Sequence, residues 1–203
     1  MKYIISIFFV ITLMFFVFYD GTSQSMVPWQ VTNIDWVSDG NGFIQYSTND
    51  YRRFDTSSRV FADNINAVNT WEMECMKISG SESSGYGMMF NVSDNNNINY
   101  YVIVITINGD YCILKRVGSV NRVMKNWARS ERLNTGYNVI NTLKAVRNRR
   151  DITIFINDNQ VFQFRETGGR LDGNRIGYIV SIGDENMESF PSIPVDVRFR
   201  QKN

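Results

Sequence analysis

GYGMMFNVSDNNNINYYVIVITINGDYCILKR, residues 85–116, divides into three consecutive strands. The first, Tyr86 to Val92, ends in the polar turn SDNNN. The second, Ile98 to Ile107, ends at Asn108-Gly109, a pair whose easy positive φ suits a tight hairpin. The third runs from Tyr111 to Arg116. The middle strand is apolar at nearly every position. A half-solvated strand alternates, so this one is expected to be covered on both faces and central to its sheet.

Outward from this core the same pattern continues. WEMECMKIS, residues 71–79, alternates: Trp71, Met73 and Cys75 on one face, Glu72, Glu74 and Met76 on the other. A short strand, FIQY, follows the turn at Ser38 to Gly42, and Arg59 to Asp63 is a further candidate. Beyond Arg116, Val117 to Val123 and the surroundings of Trp127 are less regular. Tyr137 to Val146, Ile152 to Asn157, Val161 to Glu166, Arg175 to Ile182 and Val195 to Arg200 are expected strands, separated by the turns NRRD, NDNQ and GGRLDGN. Ten to twelve short strands without helical apolar spacing point to an all-β sandwich or barrel, and no fixed period indicates a propeller or solenoid.

The chain has 203 residues, with 43% hydrophobic and 20% charged content, so one globular domain is expected after a leader. That leader is residues 1–25: one lysine, an apolar run to about Phe18, then small polar residues. The pattern is that of a signal peptide cleaved after Ser23 or Ser25, since the run is shorter than the roughly 20 residues a membrane-spanning helix needs. The expectation is an exported protein, periplasmic or extracellular, with residues 26–203 as one domain and no membrane span after cleavage. A composition rich in Asn and Ile and poor in Ala points to an AT-rich bacterial genome.

The chain contains no histidine. Ser-His-Asp and Cys-His catalysis, His-containing zinc sites and imidazole switches are therefore excluded. The two cysteines are too few to hold zinc alone. They are expected to stay reduced, because strand parity sends Cys75 and Cys112 to opposite faces and a three-strand separation in one meander leaves them about 14 Å apart. The near-neutral total hides an asymmetry: ten basic residues lie between Lys115 and Arg150 against a single acid, Glu131.

The motifs G-Y-G-M-M-F, N-Y-Y-V-I-V-I and N-G-D-Y-x-I-L-K resemble the core of concanavalin A-like lectin/glucanase jelly rolls. So does D-I-T-I-F-I-N-D-N-Q-V-F, followed by G-x-x-G-N-R-I-G-Y. The resemblance covers about Trp71 to Arg200. It implies two curved antiparallel sheets, one concave, with ligands on the concave face or its rim loops. Glucanase members carry E-x-D-x-x-E on one strand; this chain has no such run.

Candidate binding residues follow from parity. With Trp71, Met73 and Cys75 in the core, Met88, Phe90, Tyr101, Ile103, Ile105, Tyr111 and Ile113 join them. Glu72, Glu74, Met89, Asn91, Tyr100, Val102, Val104, Leu114 and Arg116 then share the opposite face. An aromatic, an amide and charges over an apolar floor suit a sugar groove, as they also suit a second packing layer. Trp127 is either a stacking platform or a lid on the core. Glu72 and Glu74 are neighbours on one strand, whereas glycosidase carboxylates flank the scissile bond about 5 to 9.5 Å apart; no catalytic residue is assigned. Arg147, Arg149 and Arg150 are expected to crowd beside Asp151 as a patch for an anionic partner. The loops Asp94 to Asn97 and Asp184 to Asn186 offer oxygens that calcium accepts, without the spacing of a dedicated calcium loop, so no cofactor is assigned. The partner expected is a polysaccharide or glycan, with an anionic surface or a protein as alternatives and nucleic acid excluded by compartment. A glycoside-acting enzyme ranks third.

Overall fold

The computed structural model describes residues 36–38, 44–48, 56–63, 69–93, 99–167, 171–181 and 195–202. The leader and both candidate calcium loops lie outside them. Thirteen strands are described: β1 (Trp36–Ser38), β2 (Ile44–Thr48), β3 (Thr56–Asp63), β4 (Thr70–Ser79), β5 (Tyr86–Val92), β6 (Tyr100–Ile105), β7 (Asp110–Val117), β8 (Val120–Arg129), β9 (Asn141–Asn148), β10 (Asp151–Ile156), β11 (Asn159–Arg165), β12 (Arg175–Ser181) and β13 (Val195–Gln201). They form a seven-stranded sheet, β1-β2-β13-β4-β9-β10-β11, and a six-stranded sheet, β3-β12-β5-β6-β7-β8. All described pairings are antiparallel.

The inner faces meet in one core. Trp71, Met73 and Cys75 from β4 are buried with Met88, Phe90, Tyr101, Ile103, Ile105, Tyr111 and Ile113 from the facing sheet, as parity predicts. Each such large apolar side chain contributes roughly 1.5–3 kcal/mol on burial. Residues of β6 are buried at every position, which explains why YYVIVI does not alternate. Its other face belongs to a second apolar cluster of Met89, Val92, Tyr100, Val102, Val104, Cys112 and Ile179. Strands β5 and β6 approach closely at Gly87, where a Cβ would lie 2.0 Å from the Ile103 carbonyl oxygen.

Several expectations need correction. Strand β4 does not join the β5–β7 meander; it belongs to the facing sheet, between β13 and β9. The cysteines are nonetheless free, because Cys75 lies in the main core and Cys112 in the second cluster. The β6–β7 turn is not a two-residue pair: Thr106 N donates to Asp110 O (2.9 Å), and only Gly109 of the three enclosed residues has positive φ (92°). The irregular stretch after Val117 is a ten-residue strand, β8. It pairs with β7 through the two-residue turn Gly118-Ser119, with Gly118 at φ 58°. The strand expected from Tyr137 begins instead at Asn141.

Beside three of the passages from one sheet to the other, a buried polar side chain is engaged among the described residues. After β4, Lys77 Nζ donates to the carbonyls of Ser81 and Ser84. Burial lowers its pKa to about 8, against the opposing pull of Glu82. After β8, the Asn141 amide bonds the backbone of Asn134 (2.8 and 2.9 Å). After β11, Glu166 and Arg147 meet inside the sandwich, as described next.

Candidate functional site

The expected site residues do not assemble on one face. Glu72 and Glu74 lie on the outer surface of the seven-stranded sheet, while Tyr100, Arg116 and Trp127 belong to the six-stranded sheet, so the core separates the two groups. Parity holds along β4, β6 and β7 and is interrupted in β5 by a bulge at Asn91; the shared face failed because β4 is in the other sheet.

On the seven-stranded side Glu72, Glu74 and Asp151 each have a cationic partner. Glu72 pairs with Lys144 (3.0 Å) and Lys202 (3.1 Å). Glu74 pairs with Arg200, whose Nε donates to it at 2.9 Å. Asp151 pairs with Arg165 (3.0 Å). Burial alone raises the pKa of Glu72, but hydrogen bonds and charge from Lys144 and Lys202 prevail and hold it below the ordinary value. Glu72 is therefore an ionised, engaged carboxylate, unsuited to donate a proton near neutral pH.

The proposed arginine patch is likewise corrected. Arg147 points into the sandwich and is 6% exposed. Its Nε lies 3.5 Å from Glu166 Oε2, a terminal nitrogen donates to Leu171 O (2.9 Å), and the guanidinium stacks over Trp71 at 5.4 Å. Glu166 accepts from the Tyr101 hydroxyl (2.9 Å) and from Leu171 N (3.4 Å). Lys115, also buried, sits 5.3 Å over the Tyr101 ring. Arg149 and Arg150 remain exposed at the β9–β10 turn, where Arg149 adopts φ 58°, and the neighbouring Asp151 is held by Arg165 rather than by them.

The outer face of the six-stranded sheet differs between centre and margin. Asn91 is fully buried at a bulge in β5, with φ 54°. Tyr100, Val102, Val104 and Cys112 are each at most 9% exposed, so the centre of this face is not an open groove. The open part is the β7–β8 margin. There Trp127 is 54% and Val123 59% exposed. Trp127 is thus neither in a loop nor a lid on the main core. It stands on the edge strand, with its ring 3.6 Å from where a Cβ of Gly85 would be, above Val104. A Cβ at 85 would meet Val104 Cγ1 at 2.4 Å, so it is Val104 rather than the indole that requires glycine there.

Toward the other end, Arg116 faces Tyr100 in register. Burial raises the Tyr100 phenol above its ordinary pKa, while the charge of Arg116 and a hydrogen bond to it pull the other way. Arg116 Nε also donates to Gly118 O (3.0 Å), and Gly118 N donates to Asn99 Oδ1 (2.9 Å), which fixes the guanidinium beside the turn. Two bulges in β8 shift its pairing, so that Asn126 and Trp127 together oppose Cys112 while Val123 opposes Leu114. From the Cys112 register to the Arg116 register is four residues, about 13 Å at about 3.3 Å per residue. The margin is thus a strip running from an exposed indole, across Val123, to an oriented arginine with a tyrosine beneath. Among the described residues no group of three or more Cys, Asp or Glu gathers in a metal-holding arrangement.

No family model and no curated protein matches the chain. Solved structures do. A carbohydrate-binding module from Bacillus subtilis is 14% identical, covering 81% of this chain and 87% of its own, with a TM-score of 0.56. A β-glucanase from Bacillus licheniformis is 10% identical, with 83% and 82% covered and a TM-score of 0.54. A structure of endo-acting O-glycanases from human gut microbiota is 9% identical, with 87% of each chain covered and a TM-score of 0.53. The fold is the concanavalin A-like lectin/glucanase jelly roll.

Proposed function

We propose that this chain is an exported carbohydrate-binding β-sandwich without catalytic activity, and that glycan lies along the β7–β8 margin. The fold is shared by binding modules and by glycan-cleaving enzymes, so the choice between them rests on side chains. One observation carries the binding reading: Trp127 offers an exposed indole face on a rigid strand, seated over Gly85. A sugar ring stacks on such a face, and the polar groups at the far end of the strip fix its orientation. The absence of catalysis is supported by Glu72 and Glu74, both tied up in ion pairs on the opposite surface.

Trp127→Ala tests this. In affinity electrophoresis through gels holding single polysaccharides, the parent is expected to be retarded by at least one. The variant should bind that polymer about tenfold more weakly, equivalent to about 1.4 kcal/mol, with an unchanged melting temperature. Equal retardation of the two proteins would remove the indole from the site; release of reducing ends by the parent would overturn the non-catalytic part. Export is checked separately by the N-terminus of protein recovered from outside the cytoplasm, expected at Gln24 or Met26. The exposed Val120 and Val123 also suit a structural or adhesion subunit that meets another protein at this edge. If no polysaccharide in the panel retards the parent, the glycan reading fails and that alternative takes its place.

A further inference from the structure

The two surfaces of the sandwich differ in how their charges are satisfied. On the seven-stranded side, Lys144, Arg165, Arg200 and Lys202 each have a carboxylate partner. On β8 and the loop after it, Arg122, Lys125, Arg129 and Arg132 are exposed or half-exposed, and among the described residues none of them has an ion-pair partner. From Asp110 to Arg132 there are six cations, of which only Lys115 is buried, against two acids, Asp110 and Glu131. Asp110 faces Arg129 in register, so it offsets that one charge in part. The strip that carries Trp127 and Val123 therefore has a cation toward each end, Arg129 and Arg116, and further cations lie on the other side of the same edge strand.

We propose that the ligand of this margin is an anionic polysaccharide, one bearing carboxylate or sulfate on most of its sugar units. The inference rests on the glycan reading above and names its substrate class. A neutral chain needs the indole and hydrogen bonds only; it would leave Arg129 and Arg116, the cations at the two ends of the strip, without a purpose in binding. An anionic chain lying on Trp127 passes Arg129 and Arg116 on the sheet face, while Arg122 and Lys125, paired in register with the inward-facing Lys115 and Ile113, stand on the other side of the edge strand. Arginine suits this task because its fork meets a carboxylate or sulfate through two hydrogen bonds. A second copy of the chain is the other candidate for an open edge strand, but antiparallel pairing of β8 with itself would bring the cations of one copy, Arg122 to Arg129, against those of the other. Cations along an edge also discourage sheet-to-sheet aggregation, and that role needs neither Trp127 nor a particular polymer.

The test uses the folded domain in affinity electrophoresis with alginate, polygalacturonate, dextran and hydroxyethylcellulose, at 0.05 M and 0.5 M salt. The expected result is retardation by at least one of the two anionic polymers at 0.05 M and its loss by about tenfold or more at 0.5 M, as screening shortens from over 10 Å to a few ångströms. The double variant Arg116→Gln, Arg129→Gln should lose binding by about tenfold or more, and so should Trp127→Ala. The double variant Arg149→Gln, Arg150→Gln should bind as the parent does. Retardation by dextran or hydroxyethylcellulose alone would overturn the anionic class while leaving the glycan reading intact. Polyanion binding indifferent to Trp127, or lost equally in the Arg149 and Arg150 variant, would reduce the effect to generic ion exchange and overturn the proposal. Binding to none of the four polymers at either salt would overturn it together with its premise.

Discussion

Arg147→Met is expected to cost about 3–5 kcal/mol, because it strands the Glu166 carboxylate inside the sandwich without its main counter-charge. For a domain of this size that corresponds to a fall in melting temperature of about 6–20 °C, at roughly 2–4 °C per kcal/mol. The Tyr101 hydroxyl and Leu171 N would still donate to Glu166, and Lys115 lies over the same tyrosine ring, so the loss should sit at the lower end of that range. The double variant Arg147→Met, Glu166→Leu should recover most of it, since replacing a buried pair by apolar groups is often neutral or better. Thermal melts followed by circular dichroism decide the matter. A single variant within 1 kcal/mol of the parent would mean that the pair is solvated, and that Arg147 belongs to the surface after all.

How legible this was depends on how far each contact reaches along the chain. Alternation in Trp71 to Cys75 and the unbroken apolar run of β6 are local signals, and they located the core correctly. Sheet membership of β4 is not local. The turn after Ser79 looks like a hairpin loop, yet it carries the chain across the sandwich, and the device that holds it there is the Lys77 amine on two carbonyls four and seven residues on. A lysine on an otherwise apolar face was the available hint. Strand β8 was hidden for a different reason: its two bulges break the period of two, so VNRVMKNWAR has no steady alternation although ten residues are paired. Arg147 misled because it is charged and stands two residues before two exposed arginines. Its parity with Leu143 and Ala145, however, places it on the inner face of β9. Of the three arginines expected to form the patch, the fold thus buries Arg147 and leaves Arg149 and Arg150 exposed.

Ile103→Asp should prevent folding altogether. Ile103 stands mid-strand in β6, flanked in register by Met88 on β5 and Ile113 on β7, and all three are fully buried in the main core. The carboxylate would find no cation there: the buried Lys115 faces inward two residues beyond Ile113, already engaged over Tyr101. An unpaired buried acid costs several kcal/mol, and the lost apolar contacts add roughly 1.5–3 more. Together these approach the roughly 5–15 kcal/mol by which a whole domain is stable. The same substitution at Val123, which is 59% exposed on the edge strand, should change stability by about 0.5 kcal/mol or less. The contrast separates position in the sandwich from the chemistry of the change, since both sites are β-branched strand residues of one sheet. Far-ultraviolet circular dichroism and a thermal melt on the two variants read it directly: no cooperative transition for Ile103→Asp, and a transition within a few degrees of the parent for Val123→Asp. A cooperative melt of Ile103→Asp near the parent temperature would take β6 out of the centre of the six-stranded sheet, and the β7–β8 margin would lose the rigid floor on which its reading as a binding strip depends.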